Sequence, residues 1–200
     1  MRCLLVVAIT SSGFNLSKHG VLEVKSSKPG PPQQEISVED VTALVQGFVD
    51  DAGLREGLCT VVSKHTTTGI TINEFEKRLA TDLRQWLLEL APPDARSVAA
   101  TANPKTYLHN DIDQRPDGEA ERLRCIENGW DIDDPEQLAK WRSQEPINAH
   151  SHLHAMLLGS TEAIPVAEGK LLLGQWQSIM LVDLDGPRDR LLGVSVLGFT

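Results

Sequence analysis

Cysteine is scarce in this sequence, positive charge is outweighed, and hydrophobic runs of membrane length are missing. Each shortage removes a class of function. Cys3, Cys59 and Cys125 are odd in number, far apart and never in a Cys-x-x-Cys arrangement, so neither a disulfide framework nor a thiolate zinc site is expected. Reduced thiols fit a reducing compartment, and a cytoplasmic protein is expected. The formal net charge of −9 argues against general affinity for nucleic acid or anionic membranes, because such binding rests on Lys and Arg neutralising phosphates. Arg2 followed by the apolar stretch Cys3 to Ile9 is short for a leader peptide and predicts a first strand over Leu4 to Thr10. No later stretch approaches a membrane span. There is no internal repeat, no Gly-x-Gly-x-x-Gly, no phosphate loop ending in Gly-Lys-Ser/Thr, and no Gly-x-Ser-x-Gly nucleophile elbow.

What remains is the balance of an ordinary globular protein, with 40% hydrophobic and 24% charged residues in 200 positions. That length suits one buried core. The proline-rich segment from Ser26 to Gln34 is a loop. After it, Val41, Leu44, Val45 and Phe48 repeat at helical spacing, with Ser37 as the expected N-cap, Asp40 near the positive end and Gly53 as the stop. Leu58 to Ser63 reads as a strand, Gly69 as a turn, and Ile70-Thr71-Ile72 as a further strand. Leu79, Leu83, Trp86, Leu87 and Leu90 line one face of a second helix that ends at Pro92-Pro93. Ser97 to Ala102 is another strand candidate.

From about 111 to 147 the composition turns acidic and amide-rich. This segment is expected to be an inserted excursion with short helices at Glu119 to Glu127 and Pro135 to Arg142, pinned to the body by Trp130 and Trp141. Lys170 to Leu173, Gln177 to Leu184 and Arg190 to Phe199 then read as strands, the last two joined by the turn Asp185-Gly186-Pro187. Helices mixed with runs of strands, without strict alternation, predict a single α+β domain with mostly antiparallel packed β-sheet and a few flanking helices.

Five of the six histidines fall in three polar clusters. His65 precedes Thr66-Thr67-Thr68-Gly69, a strand end that offers an imidazole, hydroxyls and close backbone amides to an anion. Tyr107 and His109 share one side if the segment is extended. His150, His152 and His154 depend on conformation: a helix pairs His150 with His154, whereas a strand puts all three on one side. Glu74 and Asp82 are carboxylates that would approach the histidines if the second helix packs over the strand end. Three imidazoles from separate segments suit a divalent ion such as zinc, while carboxylates suit magnesium.

The strings His65-Thr66-Thr67-Thr68-Gly69-Ile70-Thr71-Ile72-Asn73-Glu74, Asn148 to Gly159, and Leu173-Gly174-Gln175-Trp176-Gln177-Ser178-Ile179 followed by Asp185-Gly186-Pro187-Arg188 resemble the YjbQ-like family. The resemblance implies an α+β domain assembled as a homotrimer, and a site using His65, Tyr107, His109, Asn148, His152, Asn73, Glu74 and Asp82. It selects His152 over the helical pair. His65, His109 and His152 are thereby expected as metal ligands or acid/base groups, with Glu74, Asp82 and Asn148 supporting catalysis. A weak, secondary thiamine-phosphate synthase activity, a transferase reaction on a phosphorylated small molecule, is the implied chemistry. Metal-assisted phosphate-ester hydrolysis and a non-catalytic metal- or anion-binding module are the alternatives. Three departures from the family pattern stand out: Gln175 replaces a usual threonine, the link from His109 to Asn148 is long, and the N-terminus lacks the expected aromatic strand.

Overall fold

The computed structural model describes residues 14–27, 36–97 and 104–200. The strand expected over Leu4 to Thr10 lies outside these residues, as does most of the proline-rich loop and of the strand expected over Ser97 to Ala102. In chain order the elements are β1 (Leu16–Lys25), β2 (Ser37–Asp40), α1 (Thr42–Ala52), β3 (Glu56–Ser63), β4 (Thr68–Asn73), α2 (Lys77–Leu90), α3 (Glu119–Glu127), α4 (Pro135–Gln144), α5 (Ala149–Leu158), β5 (Thr161–Ala167), β6 (Lys170–Leu171), β7 (Ser178–Asp183) and β8 (Asp189–Phe199). One sheet has the order β1-β8-β3-β5-β6 and the other β2-β7-β4. Every pairing is antiparallel. The α+β class expected from the sequence is the one observed.

The two sheets stack through the side-chain period of two that strands impose. On β7, Ile179 and Leu181 face a core shared with Val45 and Val49 of α1 and with Cys59, Val61, Val194 and Val196 of the five-stranded sheet. The alternate residues Met180 and Val182 face a second core with Leu87 and Leu88 of α2 and Ala155 of α5. A strand buried on both faces must be apolar throughout, which is why β7 reads as a continuous hydrophobic run. Helix α5 sits close on β4: a Cβ at Gly69 would lie 2.7 Å from Leu158 Cβ, so only glycine permits this approach.

Several boundaries differ from expectation. Ser37 does not cap α1. It is buried in β2 and pairs in register with Asp183; Val41 holds the N-cap position without a side-chain cap bond, and just before it the Asp40 carboxylate accepts the Thr42 N–H at 2.9 Å. The segment around His152 is helical, so His150 and His154 do share a face, but that face is buried. Of the strand expected over Lys170 to Leu173 only Lys170–Leu171 pairs.

The two excursion helices form where expected, with Asp134 capping α4 through the Glu136 N–H. Trp141 packs with Cys125 and Ile132, flanked by Trp130 and Leu138. The tryptophans therefore build a small core inside the excursion itself. Among the described residues, no helix is long and apolar enough to cross a membrane.

Candidate functional site

Antiparallel registry gathers the ends of four strands at one corner. Ser63, the last residue of β3, pairs with Leu192 of β8, and Thr68, the first of β4, pairs with Asp183, the last of β7. The His65 loop and the 184–188 turn therefore meet, and the N-terminal half of α5 joins them. The His65 loop is tied at several points. Ser63 and Thr68 share a hydroxyl–hydroxyl hydrogen bond, the Lys64 N–H donates to the Leu191 carbonyl, and the Leu184 N–H donates to the Thr67 carbonyl. A loop with so many internal partners holds its side chains in one arrangement.

The consequence for His65 is specific. The Leu191 N–H donates to His65 Nε2 at 2.8 Å, so Nε2 serves as acceptor and the neutral ring carries its proton on Nδ1. Burial, followed by the charge of Arg190, holds its pKa below the ordinary histidine value. His65 thus offers an N–H donor, with no free lone pair for a metal. It lines a cleft of about 600 Å³ together with Lys64, Thr66, Thr68, His152 and Ser160.

His152 and His109 form a second unit. Their ring centroids lie 4.8 Å apart in an edge-on arrangement. The His152 pKa is lowered by burial and then by His109, while an interaction with the Thr66 backbone favours a proton on the ring. Burial and Arg115 lower the pKa of His109, and the Asn148 side chain favours protonation of its ring. Each neutral ring then keeps one nitrogen lone pair, the requirement for a base.

Asn148 and the turn complete the corner. The Asn148 amide donates to Asp185 Oδ2 at 2.9 Å, and the same oxygen meets Arg188 at 3.0 Å. Beneath them Arg190 pairs with Asp183, both almost fully buried, with one contact of 2.9 Å from Arg190 Nε. Ser26 adds a hydrogen bond of 2.6 Å to that carboxylate. A buried guanidinium and carboxylate joined by several hydrogen bonds each replace part of the hydration that burial removes from the other. A Cβ at Gly186 would fall 2.5 Å from Asp183 Oδ2, so the turn closes over the pair only as glycine. The sequence pattern places Asp183 and Arg190 in the last two expected strands and singles out neither. The alternation of β7, which ends on a charged residue inside an apolar run, was the available signal.

The other expected residues fall elsewhere. Glu74 is exposed beyond the far end of β4, about 20 Å along the strand from Thr68 at the usual rise per residue. Asp82 is exposed on α2. Tyr107 is turned away, its hydroxyl donating to the Pro92 carbonyl at 2.8 Å. Within one chain the three histidines divide into a donor and a pair, and no group of three or more His, Cys, Asp or Glu side chains is arranged for a metal ion among the described residues.

Comparison with known proteins agrees with this architecture. A family described as "UPF0047 protein YjbQ-like" matches residues 31–199. A UPF0047 protein of Methanothermobacter thermautotrophicus is 34% identical over 165 residues, covering 82% of this chain and 85% of the relative. One from Archaeoglobus fulgidus is 30% identical over 164 residues, covering 82% and 94%. The crystal structure of a YbjQ-like protein of unknown function from Sulfolobus solfataricus superposes with a TM-score of 0.63 at 28% identity, covering 91% of this chain and 97% of that one.

Proposed function

The chain belongs to the UPF0047 YjbQ-like family, and from that premise we propose that it is a small enzyme acting on a phosphorylated substrate in the cleft between His65 and His152. The observation that carries this reading is the Leu191 N–H seated on His65 Nε2. It leaves His65 as a fixed N–H donor, and preorganised donors are what an oxyanion requires. Lys64 lines the same cleft and supplies positive charge.

His152 is the group that moves a proton. Its lowered pKa keeps it neutral near pH 7 with a lone pair to offer, and His109 opposes its protonation from the side. Asn148 and Asp185 orient the pair.

A zinc ion on three imidazoles does not fit this chain, because binding through His65 would require the neutral ring to lose its one remaining proton, on Nδ1, or to give up its bond from Leu191. Magnesium held by Glu74 and Asp82 does not fit within one chain either, since both carboxylates stand apart from the cleft. They enter this reading only if a second copy brings them, as in a homotrimer. The exposed Phe75 and Trp86 beside them, 47% and 50% accessible, are the kind of surface such an assembly covers.

Thiamine-phosphate synthase chemistry belongs to the proposed class, since a departing pyrophosphate needs donors and cations around it. The test is a screen of phosphate monoesters and of the pyrimidine pyrophosphate and thiazole phosphate pair, on the native protein and on His152→Ala. Turnover lost in the variant supports the proposal. Activity fully retained by His152→Ala removes the assigned role, and phosphate binding without turnover on any compound points to the non-catalytic anion-binding module.

A further inference from the structure

A second cavity opens beside the 184–188 turn and shares no wall residue with the cleft at His65. It measures about 420 Å³ and is walled by Arg96, Pro146 and Ile147 and by the turn from Asp185 to Arg188. The chain as a whole is acidic, with a net charge of −9, yet the charged groups on this wall are two guanidiniums and one carboxylate. A local reversal of that kind favours an anion.

Each guanidinium has a carboxylate partner, but the two pairs are unequal. Arg96 binds Asp94 through both Nε and Nη2, at 2.8 and 2.6 Å, and Asp94 is nearly buried, so Arg96 is held in place. Arg188 meets Asp185 at one contact of 3.0 Å. A single, half-exposed ion pair is weak enough for an incoming oxyanion to displace. The two arginine side chains remain 49% and 51% exposed, and a guanidinium carries five N–H donors, more than one carboxylate takes up.

Behind each pair stands a buried asparagine at the first turn of α5. Asp94 accepts from Asn110 Nδ2 at 3.3 Å, and Asn110 Oδ1 accepts the Ala149 N–H at 3.0 Å. Asp185 accepts from Asn148 at 2.9 Å and also acts on His152 by charge. The lines from Arg96 and from Arg188 therefore end at the same helix start, the one that carries His152 against His109. We propose that this cavity binds a small dianionic oxyanion between Arg96 and Arg188, and that the occupant draws Arg188 away from Asp185 and so acts on the histidine pair. Arg96 is the fixed half of the site and Arg188 the half that moves. Binding here goes beyond the phosphorylated-substrate reading and does not depend on it.

Sulfate is the probe, added to the full chain at pH 7 against chloride at matched ionic strength. NMR follows the Gly186 amide for this cavity, the His152 ring for the coupling and His65 Nδ1 for the cleft. The proposal predicts a saturable Gly186 shift with sulfate, a His152 shift with the same midpoint, and affinity about tenfold weaker in Arg188→Gln and in Arg96→Gln. Asp185→Asn has the opposite sign: with the competing carboxylate gone, sulfate binds more tightly while the His152 shift falls away. Arg188 is half exposed, so its variant keeps the fold even if Arg96→Gln loosens Asp94. A Gly186 response no larger in sulfate than in chloride, affinity unchanged in both arginine variants, or weaker binding in Asp185→Asn overturns the proposal. Saturation at Gly186 with a silent His152 overturns the coupling. A responding Gly186 beside a silent His65 counts against the phosphorylated-substrate reading and leaves this site standing.

Discussion

Lowering the pH should weaken this protein through His154. His154 is 1% exposed in α5 and its Nε2–H donates to the Leu87 carbonyl at 2.7 Å, tying α5 to α2. Burial pushes its pKa from 6.5 down to about 4. The unfolded chain therefore takes up a proton at a pH where the folded chain refuses it. Stability from this group is complete above pH 6.5 and drains away as the pH falls through 6.5 toward 4.

Each pH unit in that window costs about 1.4 kcal/mol, so roughly 2 kcal/mol is lost by pH 5 and about 3 kcal/mol once the pH is below 4. His65, His109 and His152 also have lowered pKa values and add to the decline, so a control is needed that differs only at position 154. His154→Gln keeps a donor for the Leu87 carbonyl and cannot titrate. Urea unfolding of both proteins at pH 7.5 and pH 5.0 should show the native protein losing about 2 kcal/mol more than the variant. Equal losses in the two proteins would refute the assignment.

Three further outcomes follow from the packing around the site. Asp183→Asn leaves the Arg190 guanidinium buried without its counter-charge and should cost about 3–5 kcal/mol in urea unfolding; a loss under 1 kcal/mol would mean that the pair is not load-sharing with the turn. Gly69→Ala drives a methyl against Leu158 Cβ and should cost about 1–3 kcal/mol, with most of the loss persisting in the double variant carrying Leu158→Ala, which keeps the clashing Cβ; full recovery in that variant would mean the contact is not the cause. His109→Ala removes a group that opposes protonation of His152, so the His152 pKa followed by NMR should rise, and an unchanged value would separate the two rings.

The fold was legible wherever burial wrote a simple pattern. The excursion helices could be read because Gly118, Asp134 and Pro135 mark their starts and acidic residues occupy their first turns. The α+β class followed from the order of strands and helices. β5 escaped because Pro165 breaks its run. The structure tolerates that proline beside β6, only two residues long, and the Pro165 carbonyl instead accepts the Leu172 N–H at 2.8 Å. β1 escaped because all but Val24 of it is at least partly exposed, so little hydrophobic signal remains.

The site was legible in its residues more than in its chemistry. His65, His109, Asn148 and His152 do converge on one corner, yet no spacing rule could show that a backbone N–H 126 residues away in sequence, at Leu191, would occupy His65 Nε2. That contact is set by the registry of β3 on β8 and decides between ligand and donor. Glu74 was misleading for the opposite reason: it is close to His65 in sequence, and an extended strand carries it away.

The central claim is that His65 is a neutral N–H donor to an anion. Long-range proton–nitrogen NMR of the histidine rings at pH 7, with and without inorganic phosphate, tests it most directly. The account predicts an Nδ1-protonated His65 ring whose Nδ1 signal moves on adding phosphate while Nε2 keeps its bond to Leu191. A ring protonated on Nε2, or an Nδ1 signal indifferent to phosphate, would contradict it.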